Sequence, residues 1–91
     1  MIDLQLYAEL INIPILEIKR KTRLQELAMA RFVYWFYLNS EGYGFGEIGR
    51  MFGWNHSSII YGIRKIENLI SVNDKYVKRY LKAIDYKQIK K

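Results

Sequence analysis

An apolar run extends from Leu27 to Leu38, and Arg31 is its only charged residue. Apolar positions recur at helical spacing over about Leu24–Asn39, and aromatic residues also fall on the other sides of that helix. A helix that is apolar on several sides must be covered by several neighbours. The run therefore predicts the central helix of an all-α domain. It is too short to span a bilayer, which requires about 20 apolar residues.

Further helices are predicted on both sides of the central one. Asp3 is a suitable N-cap for a helix over Leu4–Ile11, and Pro14 is suited to begin a short second helix that ends at Lys19. Three more segments follow the central helix: Phe45–Phe52, His56–Ser71 and Asp74–Tyr86. We predict one domain, residues 1–91, folded as an all-α five-helix bundle that contains a helix-turn-helix.

Composition and charge limit the kinds of site and partner that the chain can have. The absence of cysteine excludes a disulfide scaffold and a zinc finger, and a single histidine makes a transition-metal site improbable, so neither metal nor cofactor is expected. The formal net charge is +6. Residues 1–18 hold three acids and no base, whereas residues 19–91 hold fifteen bases and six acids. The charge favours an anionic partner, and no segment resembles a signal peptide or membrane span, so we expect a cytoplasmic protein.

Two short motifs suggest chemistry that their contexts do not support. Gly44–Gly49 matches G-x-G-x-x-G, but a dinucleotide fold needs a preceding strand, and here a helix precedes. His56 stands beside Ser57 and Ser58, yet consecutive residues at a helix start point in different directions and do not form a catalytic triad. We therefore predict that the protein is not an enzyme.

The segment Glu47–Arg64 has the plan of a helix-turn-helix: a short helix, a tight glycine-containing turn and a second helix with an isoleucine inner face. Short hydrogen-bonding side chains at the start of the second helix suit base reading in the major groove: Asn55, His56, Ser57 and Ser58. Arg50, Arg64 and Lys65 are placed to reach phosphates. The pattern alone leaves two interpretations open, a DNA reader and an amphipathic surface helix.

The stretch Arg23–Leu81 resembles the C-terminal, origin-box-binding domain of the bacterial replication initiator DnaA. The matching residues are Ala30-Arg31, Tyr37-Leu38, Glu47–Gly53, His56–Ile60 and Arg64–Glu67. The resemblance implies a Trp-repressor-like fold. It also implies that Asn55, His56 and Ser57 read bases, and that the loop Lys19–Arg23 enters the minor groove with Arg23 as the inserted residue. The alternative is that the position of the key arginine in some members corresponds to Met29 here.

The sequence departs from this family at the turn. The turn in the family usually has the sequence Phe-Gly-Gly-Arg-Asp-His. In this chain it is one residue shorter, Phe52-Gly53-Trp54-Asn55-His56. Asparagine pairs with adenine where aspartate accepts from cytosine, so we expect a different target sequence. Whether Trp54 is a core residue or a DNA contact stays open at this stage. These residues include no Walker motif, so we expect a stand-alone DNA reader without ATP-driven initiation.

The sequence thus predicts specific binding of double-stranded DNA, with His56–Ser71 as the recognition helix. The predicted base contacts are Asn55, His56, Ser57 and Arg23. The predicted backbone contacts are Ser58, Lys19, Arg20, Lys21, Arg50, Tyr61, Arg64 and Lys65. The alternative is a protein-interaction module whose basic face meets an acidic partner.

The expected setting is the nucleoid, in replication, transcription or a mobile element. A homodimer through tyrosines of the last helix (Tyr76, Tyr80 and Tyr86) or a contact to a separate replication protein is left open.

Overall fold

The structure, a computed structural model, describes residues 2–21 and 24–84. These residues form six helices: α1 (Leu4–Ile11), α2 (Ile15–Lys19), α3 (Gln25–Ser40), α4 (Phe45–Phe52), α5 (His56–Ser71) and α6 (Lys75–Ala83). Only helices and turns occur in the described ranges, so the predicted all-α fold is confirmed. Each of the six predicted helical segments, including the short one after Pro14, forms a helix within these ranges, so the predicted bundle count of five was one too low. The predicted end of the last helix at Tyr86 lies outside the described residues.

Side-chain caps fix the starts of three helices. The Asp3 carboxylate accepts from the Leu6 N–H at 2.8 Å, and the Asn55 side chain accepts from the Ser58 N–H at 3.0 Å. Asp74 accepts from the N–H groups of Tyr76 and Val77. Each cap satisfies donors that have no partner within the helix. Pro14 occupies the N-cap position of α2, one residue before its predicted place inside the helix.

The central position predicted for α3 is confirmed. Its residues Val33, Trp35 and Leu38 are fully buried, and α2, α4, α5 and α6 all pack against it. Gly62 brings α5 close to α3, since a Cβ there would lie 2.6 Å from Phe32 Cδ1 and 2.9 Å from Trp35 Cε3. The two helices can approach this closely only because residue 62 lacks a side chain. None of the described helices is long and apolar enough to cross a membrane.

Tyrosine hydroxyls tie the start of the chain to α3. Tyr7 donates to the Ala30 carbonyl at 2.6 Å, and Tyr34 donates to the Ile2 carbonyl at 2.9 Å. The Ile2 N–H in turn donates to the Tyr37 hydroxyl at 2.6 Å. Burial raises the pKa of Tyr7 and of Tyr34 above the ordinary tyrosine value. The buried aromatic residues of α3, Tyr34, Trp35 and Tyr37, therefore belong to the core.

The tyrosine face proposed for dimerisation is not formed as predicted. Tyr80 is only 2% exposed, because α6 turns it into the core, whereas Tyr76 is 76% exposed. Tyr86 lies outside the described residues. The described tyrosines of α6 thus divide between the core and the surface.

Alkaline pH should destabilise the fold through the buried tyrosines. Above pH of about 10 the unfolded chain loses tyrosine protons that the folded chain keeps, so the free energy of unfolding falls as pH rises. Urea unfolding between pH 8 and pH 11 should show this fall, and Tyr7→Phe should make it shallower. Tyr76→Phe, at an exposed position, is the matched control. A midpoint equally sensitive to pH in wild type and Tyr7→Phe would contradict this account.

Candidate nucleic-acid interface

A tight turn joins α4 to α5. Gly53 ends α4 in the left-handed conformation, with φ of 73° and ψ of 33°, and the Trp54 N–H donates to the Gly49 carbonyl at 2.9 Å. Asn55 is extended and caps α5. A Cβ on Gly49 would lie 2.5 Å from the Trp54 carbonyl oxygen, so the turn folds back directly over α4. This is the connection that a helix-turn-helix requires.

The G-x-G-x-x-G match has a structural role here. Gly44 is the N-cap of α4, and its N–H donates to the Glu47 carboxylate at 2.8 Å. Gly49 is the close-contact residue beneath the turn. The preceding element is α3, and no strand occurs in residues 2–21 or 24–84, so the motif lacks the setting of a pyrophosphate cradle.

The beginning of α5 presents the predicted base readers to solvent. Asn55, His56 and Ser57 are exposed, and Ser58 is half-buried. The opposite side of the helix is fixed in the core by Ile59, Ile63 and Ile66. The backbone N–H of Ser58 is held by the Asn55 cap. The rigid inner face therefore sets the orientation of a short polar surface.

A groove of about 890 Å³ runs beside this surface, between α5, the start of α3 and the end of the basic segment 19–21. Six predicted contacts line it: Lys21, Asn55, Ser57, Ser58, Tyr61 and Lys65. The other lining residues are Gln25, Ala28, Met29, Arg31, Phe32 and Trp54. Among the described residues the lining includes basic side chains and no carboxylate, so the groove attracts anions.

The remaining predicted contacts lie outside this groove. Lys19, Arg20, His56, Arg50 and Arg64 are all exposed. The Arg20 guanidinium is paired with the Glu17 carboxylate at 3.2 Å on the surface. The assignment of Arg23 to the minor groove lies outside the described residues.

Arg31 also lines the groove, although the sequence did not predict it as a site residue. It is 1% exposed, and burial lowers its pKa. Its Nη1 donates to the Arg20 carbonyl at 2.8 Å, and its guanidinium carbon lies 4.6 Å from the Trp54 ring centroid. The signal was available in the sequence, because a lone charge inside an apolar run needs a specific partner.

Trp54 is half-buried between the core and the groove. Its ring meets the Trp35 ring edge to face, with centroids 5.6 Å apart, and packs against the core. The Trp54 Nε1 is buried without a hydrogen-bond partner among the described residues. Trp54 therefore packs on the core and also lines the groove.

The chain matches a known family of protein domains. The model of the family described as the bacterial dnaA protein helix-turn-helix matches residues 4–66, which run from α1 to Ile66 in α5. No solved structure matches the chain.

The Gly49 contact generates a stability prediction. Gly49→Ala should lower the free energy of unfolding by about 1–3 kcal/mol, since the new methyl group meets backbone and not a flexible side chain. Gly46→Ala is the matched control in the same helix, where a Cβ meets only the Arg50 side chain at 3.6 Å. That change should stabilise α4 by up to about 1 kcal/mol. Urea unfolding measures both, and equal effects would contradict the proposed packing of the turn.

Proposed function

The chain belongs to the bacterial DnaA helix-turn-helix family, which is a family of DNA-binding domains, and we propose that it reads one specific duplex sequence. The observation that carries the proposal is the exposed polar start of α5 beside a basic, carboxylate-free groove. In this proposal residues 1–91 act as one domain, α5 enters the major groove, and no catalytic step takes place.

Base reading is assigned to Asn55, His56 and Ser57. The side chains are short enough for the helix to sit deep in a major groove about 12 Å wide. Asn55 can cap α5 and read adenine together, because its carbonyl oxygen has two lone pairs and only one is used by Ser58 N–H. The amide nitrogen then donates to adenine N7 while the oxygen accepts from N6. An adenine is therefore expected opposite Asn55.

Backbone binding is assigned to the groove and its surroundings. Two lysines, one hydroxyl residue and one tyrosine of the predicted backbone contacts line the groove: Lys21, Lys65, Ser58 and Tyr61. Phosphates are attracted both by these side chains and by the free N–H groups at the start of α5. Arg50 and Arg64 lie on exposed helix surfaces and extend the same role, as do Lys19 and Arg20. These contacts set the register of α5 on the duplex without reading its sequence.

The loop Lys19–Arg23 is assigned to the minor groove, with Arg23 inserted. A narrow A·T-rich minor groove has an enhanced negative potential that attracts arginine. The proposed role is regulation of replication or transcription, or control of a mobile element, at the nucleoid. A homodimer or a separate replication protein would add a second contact to this arrangement.

Salt dependence separates DNA binding from the alternative of an acidic protein partner. The logarithm of the DNA affinity should fall linearly with the logarithm of salt concentration, with a slope of about −0.9 for each phosphate neutralised. Lys65→Ala should weaken binding to all duplexes and reduce the slope by about one phosphate. Fluorescence anisotropy at several salt concentrations measures both quantities. Absence of binding to any duplex at low salt would reject the proposal.

Sequence specificity is tested by selection of bound sites from random duplexes. The wild-type chain should enrich one motif, and His56→Ala should bind that motif about 10-fold or more weakly while its binding to random duplex changes little. Lys65→Ala provides the contrast, because its loss should be similar on both duplexes. Enrichment of no motif above background would show that binding is non-specific.

A further inference from the structure

The Arg31 side chain connects α3 to the basic segment that follows α2. Its Nη1 donates to the Arg20 carbonyl at 2.8 Å and approaches the Ile18 carbonyl at 3.4 Å. Both acceptors are backbone atoms, so the contact fixes the path of the chain and does not depend on the side chain of Arg20. Arg31 makes no ion pair within the described residues. The guanidinium is thus committed to holding the backbone of residues 18–20.

The same guanidinium also contacts the turn of the helix-turn-helix. Its central carbon lies 4.6 Å from the centroid of the Trp54 ring, a distance suited to a cation–π interaction. Lys21 brings its Nζ to 5.3 Å from the same ring. Trp54 immediately precedes Asn55, the cap of α5. One buried side chain therefore touches both elements to which DNA contacts are assigned.

This connection is energetically costly in isolation. A buried guanidinium without a carboxylate loses hydration that two carbonyl bonds replace only in part, and Arg31 Nε has no hydrogen-bond partner among the described residues. A leucine in an apolar helix would avoid the cost. Arginine alone combines a planar face for stacking on Trp54 with donors directed along its edge to the carbonyls.

We propose that Arg31 is a positioning residue for DNA recognition, which locks the basic segment 19–21 to the Trp54 turn and so fixes the spacing between the two DNA-reading elements. The inference rests on the proposed function for its consequence, because a fixed spacing matters only if both elements bind one duplex. A specific site engages both elements at once. Random duplex is bound mainly by separate phosphate contacts, which tolerate variation in that spacing.

Arg31→Lys tests the lock, because it keeps the positive charge and removes the planar stacking and the multiple donors. The duplex enriched by the wild-type chain and a random duplex of equal length are the probes. The ratio of the two affinities should fall about 10-fold or more, while the affinity for random duplex stays within about 2-fold. Trp54→Leu should lower the ratio in the same way, since it removes the aromatic face. In the double variant the affinity ratio should fall no further than in the single variant with the lower ratio, because both changes break the same connection.

Val77→Ala is the matched control for lost stability. Val77 is fully buried in α6 and does not line the groove. Its truncation should lower the melting temperature and leave the affinity ratio unchanged. The proposal is overturned if Arg31→Lys, shown to be folded by circular dichroism, keeps the wild-type ratio, or loses affinity for both duplexes by the same factor. If Arg31→Lys does not fold, Trp54→Leu decides by the same criterion.

A measurement without DNA separates failure of the lock from failure of the proposed function. Trypsin cleaves at the Arg20 carbonyl, the group that Arg31 holds. The cleavage ratio is the rate of cleavage after Arg20 divided by the rate after Lys75 in α6, measured in the free protein. It should rise at least about 5-fold in Arg31→Lys, because this change frees the Arg20 carbonyl. It should not rise in Val77→Ala, which leaves that carbonyl held. An unchanged cleavage ratio rejects the lock. A raised cleavage ratio, in a chain that enriches no duplex, supports the lock and rejects sequence-specific DNA reading.

Discussion

The arrangement of the molecule depends on the packing of α5 against α3 at Gly62. A Cβ at this position would clash with Phe32 and Trp35, so the absence of a side chain lets the two longest helices approach closely. The inner face of α5 is then held by the same core that buries Trp35. Because α5 is fixed along this face, its first turn projects from the domain in one orientation. The short helix α4 and the tight turn at Gly53 complete the support, and the polar start of α5 is presented without any flexible connection of its own.

Acidic and basic residues lie in different parts of the fold. The helix α1 belongs to the acidic part of the chain, and tyrosine hydroxyls connect this part to α3 by hydrogen bonds to backbone groups. On the groove side the charged residues among the described lining are all basic, and they stand beside hydroxyl, amide and apolar side chains. Arg31 lines this groove, buried in the central helix yet bonded to the backbone of the basic segment. The positive surface is therefore connected directly to the core, which gives a DNA ligand a pre-organised face to bind.

Much of the fold could be predicted from the sequence, because helical spacing and local caps are properties of neighbouring residues. Asp3 and Asn55 cap the helices predicted for them, and the apolar run around Arg31 forms the central helix. The errors arise where distant segments decide the outcome. The face proposed for dimerisation is not formed, because Tyr80 is buried in the core. The contact between Arg31 and Trp54 joins α3 to the turn that precedes α5, two segments far apart in the sequence. The exposed start of α5 agrees with the polar residues at that position in the sequence. The groove beside it could not be predicted, since residue spacing along one helix does not reveal which other segment packs next to it.

The central claim is that the start of α5 and the groove beside it meet duplex DNA. Nuclear magnetic resonance titration of the isotopically labelled chain with the selected duplex tests it most directly, since each backbone amide reports its own environment. The largest shifts are expected at Lys21, Asn55, His56 and Ser57, with smaller shifts at Tyr61 and Lys65. The amides of Leu6 and Leu10, on the exposed side of α1, should not move. Shifts concentrated on α1, or a spectrum unchanged by saturating duplex, would contradict the account.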